Sequence, residues 1–130
     1  MADVIIKKQR PKNLDLTTIR LPLPGVLSIL HRVSGAGLFL FLPVLLCVFG
    51  SSLGSPEGFA DIKAALTNPL AKIIQLGLLW AFLHHFCAGI RYLLLDVHVG
   101  VDLESARFSS KVVFAVSLLL TVVLGVTLVW

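Results

Sequence analysis

Charged and turn-forming stretches alternate along the chain with three long apolar runs, about Val33 to Gly50, Leu70 to Leu95 and Val112 to Trp130. Each run is long enough to cross roughly 30 Å of hydrocarbon as a helix. Hydrocarbon offers no hydrogen-bond partner, so backbone groups must be satisfied within a segment or around a closed barrel. The runs lack the two-residue alternation of barrel strands, which leaves helices. The predicted fold class is therefore all-α, an integral membrane protein with three transmembrane helices at about 24–50, 69–96 and 111–130. Residues 1–130 are expected to form a single domain, with an N-terminal segment 1–23 outside the bilayer. Pro22, Pro24 and Gly25 mark entry to the first helix, because proline is tolerated in a first turn. Ser51 to Asn68, with Gly54, Pro56 and Gly58, is expected to be a polar loop with a short helix at Phe59 to Leu66, and Val97 to Ser110 the second connection.

Composition agrees. At 57% hydrophobic and 14% charged residues, and a mean hydropathy of +0.96, the chain is too apolar for a soluble domain of its length. Basic residues are unevenly placed. Lys7, Lys8, Arg10, Lys12, Arg20 and Arg32 precede or open the first span, and Arg91, Arg107 and Lys111 surround the second connection. The first loop has only Lys63 and Lys72, and the C-terminus has none. This bias predicts a cytoplasmic N-terminus and a C-terminus across the membrane. The formal charge of +4 is thus a topology signal, and no nucleic-acid partner is expected. Met1 to Leu21 carries neither the apolar stretch of a secretory signal nor an Arg- and Ser-rich transit pattern. Cys47 and Cys87 fall inside apolar runs, where no disulfide is expected.

Chemistry is concentrated in two places. In the first helix Ser28, His31, Arg32 and Gly35 are spaced to share one face near the cytoplasmic boundary. Ionisable groups at membrane depth are costly and default to functional candidates, although His31 and Arg32 could equally snorkel to the headgroups. In the second helix His84 and His85 point about 100° apart, so they cannot share one role. His84 lines up with Ala88 and Arg91, whereas His85 lines up with Gly89, Tyr92 and Asp96. A haem needs a neutral imidazole and room for a flat macrocycle, and a glycine one turn from a histidine provides that room. The His85 face suits a haem better, near mid-membrane at about 16 Å from Asp96. The plainer alternative is a histidine that only packs and hydrogen-bonds. With one well-placed imidazole here, a six-coordinate haem would draw its second ligand from another chain. His98 is expected to be solvated. Ser117, Thr121 and Gly125, four residues apart, make a small-residue packing stripe on the third helix.

Four blocks together resemble a known family: Lys8-Gln-Arg-Pro-Lys-Asn-Leu-Asp-Leu16, Ser28-Ile-Leu-His-Arg-Val-Ser-Gly35, Ser55-Pro-Glu-Gly-Phe59, and His85-x-x-x-Gly-Ile-Arg-x-Leu-x-x-Asp96. The chain resembles the cytochrome b membrane-anchor subunits of succinate dehydrogenase, also called succinate:quinone oxidoreductase or complex II. The resemblance implies a complex in which a flavoprotein oxidises succinate and an iron-sulfur subunit passes the electrons to two membrane-anchor subunits. These share one haem b and bind ubiquinone in the bacterial inner membrane, with the C-terminus periplasmic. Carried over by position, Ser28 and Arg32 would bind quinone, and His85 would be the axial ligand of the haem iron. His31, Arg32, Gly89 and Tyr92 would contact the haem or its propionates; Tyr92 stands where the family often has a histidine. Two other readings are a purely structural anchor and the anchor of a fumarate reductase, although the Ser-His-Arg block favours the succinate-oxidising enzyme.

Overall fold

The computed structural model describes residues 18–129. The Lys8 to Leu16 block therefore lies outside the described residues. Four helices follow in order, α1 (Leu23–Gly54), α2 (Pro56–Leu66), α3 (Pro69–Asp96) and α4 (Leu103–Leu128). Of these α1, α3 and α4 are long and apolar enough to cross a membrane, so the all-α architecture with three candidate spans stands.

Local chemistry sets the boundaries. Pro24 sits in the first turn of α1, where its missing N–H costs nothing. The helix then continues through Gly54, past the expected end at 50. Ser55 starts α2 by accepting from the Gly58 N–H at 3.0 Å, with Pro56 in its first turn. Asn68 starts α3 in the same way, accepting from the Leu70 N–H at 2.9 Å ahead of Pro69. The largest departure is α4, which begins at Leu103 and not at 111. Asp102 caps it by accepting from the Ser105 N–H at 2.9 Å, and Glu104 lies in the first turn, where a carboxylate meets the positive end of the helix dipole. Hydrogen bonding to Ser105 holds the Asp102 carboxyl below its ordinary pKa. What the sequence suggests is a long polar connection is thus largely two capped helical turns, and the real turn is 97–102.

That turn is tight. His98 adopts φ 63° and Gly100 φ 71°, while the His98 and Val99 N–H groups donate to Leu95 O and Leu94 O, each at 2.9 Å, closing the end of α3. A left-handed residue with a Cβ carries strain. His98→Gly is expected to hold or raise the thermal midpoint of the solubilised protein, whereas His98→Val should lower it by about 1 kcal/mol equivalent. Equal midpoints for the two variants would show that the turn is unstrained.

The packing centres on α3, which meets α1 on one side and α4 on the other. Leu27, Ala88 and Val113, one from each spanning helix, form the buried cluster, with Cys87, Tyr92 and Phe114 against it. Small residues let α4 approach. Ser110, Ser117 and Gly125 are buried and Thr121 is half-buried, and the Ser117 and Thr121 hydroxyls donate to carbonyls of their own helix, as the packing-stripe reading expects. Outward faces carry exposed Phe39, Leu40, Phe86 and Leu119. In a bilayer such faces meet lipid or partner helices at no cost. Cys47 and Cys87 are both free thiols.

Candidate functional site

Toward the start of α1 and the end of α3 the two helices bring together His31, Ser34 and Gly35 with His85, Gly89 and Tyr92. The imidazoles of His31 and His85 stack with centroids 4.2 Å apart and planes 9° from parallel. Tyr92 also meets His31, at 5.0 Å and tilted by 50°. His31 therefore seats between two residues of the His85 face, seven positions apart, and over the glycine between them: a Cβ on Gly89 would come within 3.8 Å of His31 Nε2.

The His85 ring is held from α1. Its Nδ1 lies 3.0 Å from the His31 carbonyl oxygen, which can only accept, so Nδ1–H donates. That bond fixes the tautomer and leaves the Nε2 lone pair for a ligand. The Ser34 hydroxyl donates to the same carbonyl at 2.9 Å and lies 3.4 Å from Nδ1. Gly35 makes the approach possible, because a Cβ there would stand 2.7 Å from His85 Cε1 and 3.1 Å from Nδ1. The Tyr92 hydroxyl is buried without a partner among the described residues, and such a group is worth about 1–3 kcal/mol to whatever satisfies it.

His84 occupies a different environment. It is fully buried, stacked on Trp80 at 5.1 Å and tilted against Phe114 at 5.3 Å. Neither of its ring nitrogens has a hydrogen-bond partner among the described residues. It is a packing residue between α3 and α4, and the two adjacent histidines diverge as their 100° offset predicts. Arg91, 6% exposed, lies on the His84 side. Its Nε donates to Ser109 Oγ at 2.9 Å and its Nη2 to Ala106 O at 3.2 Å, which ties α3 to α4. The sequence puts Arg91 on the His84 face but does not show its bonds to α4, and it presents Ser34 only as one letter of a motif. The legible signal for Ser34 was its i+3 spacing from His31, but the partner it would share was not visible.

Ser28 and Arg32 stay on α1 beside this cluster. Ser28 is half-buried and Arg32 exposed, and neither side chain has a hydrogen-bond partner among the described residues. His98 is exposed, as expected.

The donor set indicates what the cluster can hold. Among the described residues no three His, Cys, Asp or Glu side chains are grouped to bind a metal ion by themselves. A porphyrin iron brings four nitrogens and asks the protein for an oriented neutral imidazole, clearance for a flat ring and partners for its carboxylates. His85 with a free Nε2 and the unpartnered Tyr92 hydroxyl fit those needs, while Gly35 and Gly89 give their room to the His85 and His31 rings.

Comparison with known proteins bears on the same stretch. Residues 6–124 match the family model described as the succinate dehydrogenase/fumarate reductase transmembrane subunit. The succinate dehydrogenase cytochrome b556 subunit of Coxiella burnetii is 37% identical over 119 residues, covering 91% of this chain and 95% of that protein. The cytochrome b556 subunit of Paracoccus denitrificans succinate dehydrogenase is 34% identical over 122 residues, covering 94% and 93%. A third, from Rickettsia bellii and bearing the same name, is 31% identical over 121 residues, covering 93% and 94%.

Proposed function

This chain belongs to the succinate dehydrogenase/fumarate reductase transmembrane subunit family, and from that premise we propose that it is the haem b- and quinone-binding membrane anchor of a succinate dehydrogenase. The reading rests chiefly on His85, whose Nδ1–H is spent on a backbone carbonyl across the α1–α3 contact so that Nε2 is presented as a ligand. Bound haem b would supply a one-electron site between the iron-sulfur subunit and quinone. His85 would hold the haem iron through Nε2. His31, Arg32 and Tyr92 would meet the propionates, and Gly89 would contact the haem. His31 stacks on the face of the His85 ring, so a further ligand to the iron would be expected from the second membrane-anchor subunit.

Ser28 and Arg32 form the quinone site. A quinone carbonyl gains electron density as it is reduced. A hydroxyl donor and a nearby cation stabilise that charge more than they stabilise the oxidised headgroup, and this difference is what speeds the step. The isolated chain catalyses nothing; it works within an assembly of flavoprotein, iron-sulfur and second anchor subunits. The excess of Lys and Arg before α1 and around the 97–102 turn supports a cytoplasmic N-terminus and a periplasmic C-terminus in the bacterial inner membrane, with residues 1–130 as one anchor domain. Ser28 and Arg32 then lie at the membrane surface that the soluble subunits approach.

Replacing Ser28 or Arg32 by alanine in the assembled complex should lower ubiquinone reduction by about tenfold or more, while succinate oxidation with an artificial acceptor persists. Quinone kinetics equal to those of the parent would remove both residues from the site.

A further inference from the structure

Building on the haem reading above, we infer that Ser34 is a positioning residue that weakens the hydrogen bond from His85 Nδ1–H and so holds the haem potential higher than His85 and the His31 carbonyl would set it alone. Ser34 is 6% exposed, so water does not dilute its interactions. Its hydroxyl donates at 2.9 Å to the His31 carbonyl, and that oxygen also receives His85 Nδ1–H at 3.0 Å. Within an α-helix the same oxygen faces the N–H of residue 35 as well. Three donors crowd one acceptor with two lone pairs, and each reduces what the others can draw from it.

The Ser34 oxygen also lies 3.4 Å from His85 Nδ1, where it could accept weakly. The distances decide which effect wins. A 2.9 Å hydroxyl bond takes more from the carbonyl than a contact at the outer edge of hydrogen-bonding range returns to Nδ1–H. The net effect is a weaker pull on the imidazole proton. A less polarised imidazole is a poorer donor through Nε2 and favours the oxidised iron less, which raises the potential.

A serine bonded to the carbonyl three residues back is ordinary in helices. Ser52 and Ser117 do the same with Phe49 O and Phe114 O. Ser34 differs because the carbonyl it chooses is the one that holds His85. Ser117, also buried, is therefore a matched control.

The measurement is a potentiometric titration of the b-type band in the solubilised four-subunit complex. Ser34→Ala should keep the band and shift its midpoint to a more negative potential. Ser34→Thr, which retains the hydroxyl, should return it toward the parent value, and Ser117→Ala should leave it unmoved. A Ser34→Ala band with an unchanged or higher midpoint overturns the inference, as does an equal shift from Ser117→Ala. Loss of the band in Ser34→Ala with retention in Ser34→Thr also overturns it, because the ligand would then need the hydroxyl for binding and not for tuning. Absence of a b-type band from the parent complex defeats the haem reading itself, an outcome separate from the others.

Discussion

His85→Ala is expected to abolish the b-type absorbance of the assembled complex, while the neighbouring His84→Phe keeps it. The two side chains are adjacent in sequence and opposite in circumstance. His85 spends one nitrogen on the His31 carbonyl at 3.0 Å and keeps the other for a ligand. His84 is enclosed by Trp80 and Phe114 with both nitrogens unpartnered, a burial that costs free energy and that a phenyl ring of similar size avoids. His84→Phe should therefore be neutral or stabilising by about 1 kcal/mol, with an unaltered reduced-minus-oxidised spectrum. His85→Ala removes the imidazole of the α1–α3 cluster whose Nδ1–H is bonded to a backbone carbonyl so that Nε2 is left for a ligand. The parent spectrum separates a haem-binding subunit from a purely structural anchor, which would show no b-type band at all. A band that survives His85→Ala and disappears with His84→Phe would exchange the two roles.

Gly35→Ala should be the most damaging single methyl on α1. Its Cβ would meet His85 Cε1 at 2.7 Å and Nδ1 at 3.1 Å. The ring cannot simply turn aside, because it is bonded to the His31 carbonyl and stacked on His31 at 4.2 Å. Relief requires breaking that bond or parting α1 from α3, and overpacking of this kind costs about 1–3 kcal/mol. The expected result is a lower thermal midpoint together with reduced haem occupancy. Gly37, two residues on, supplies the control. Nothing lies within 4 Å of a Cβ there, so Gly37→Ala should be silent or gain up to about 1 kcal/mol from helix propensity. If Gly35→Ala matched Gly37→Ala in both measurements, the close approach of His85 to α1 would be wrong.

Much of the architecture was legible beforehand because the bilayer simplifies the problem. A run such as Leu70 to Leu95 has one low-energy answer in hydrocarbon, and the described helix, Pro69–Asp96, departs from it very little. Polar composition misleads where it resembles a loop. Arg107, Ser109 and Ser110 look like a connection, yet Asp102 and Glu104 start a helix eight residues before the expected position. Caps are satisfied by one or two side chains, and a hydropathy pattern does not register them. The same holds at Ser55, whose hydroxyl starts α2 at Pro56, three residues ahead of the short helix foreseen at Phe59.

The sequence by itself determined the class, the three spans, the divergence of His84 from His85, and the sharing of one α1 face by Ser28, His31, Arg32 and Gly35. All of these follow from length, hydropathy and the 100° step of a helix, quantities internal to a single segment. Only the tertiary structure decided that His31 lies against His85 and Tyr92, that its carbonyl holds Nδ1–H beside Ser34, and that Arg91 bonds Ser109 and Ala106. Those contacts join residues that are 15 to 61 positions apart. They depend on how one helix is rotated and shifted against the next, and that register is set by small residues such as Gly35 and Gly125 and by the packing around them, not by the periodicity of any one helix.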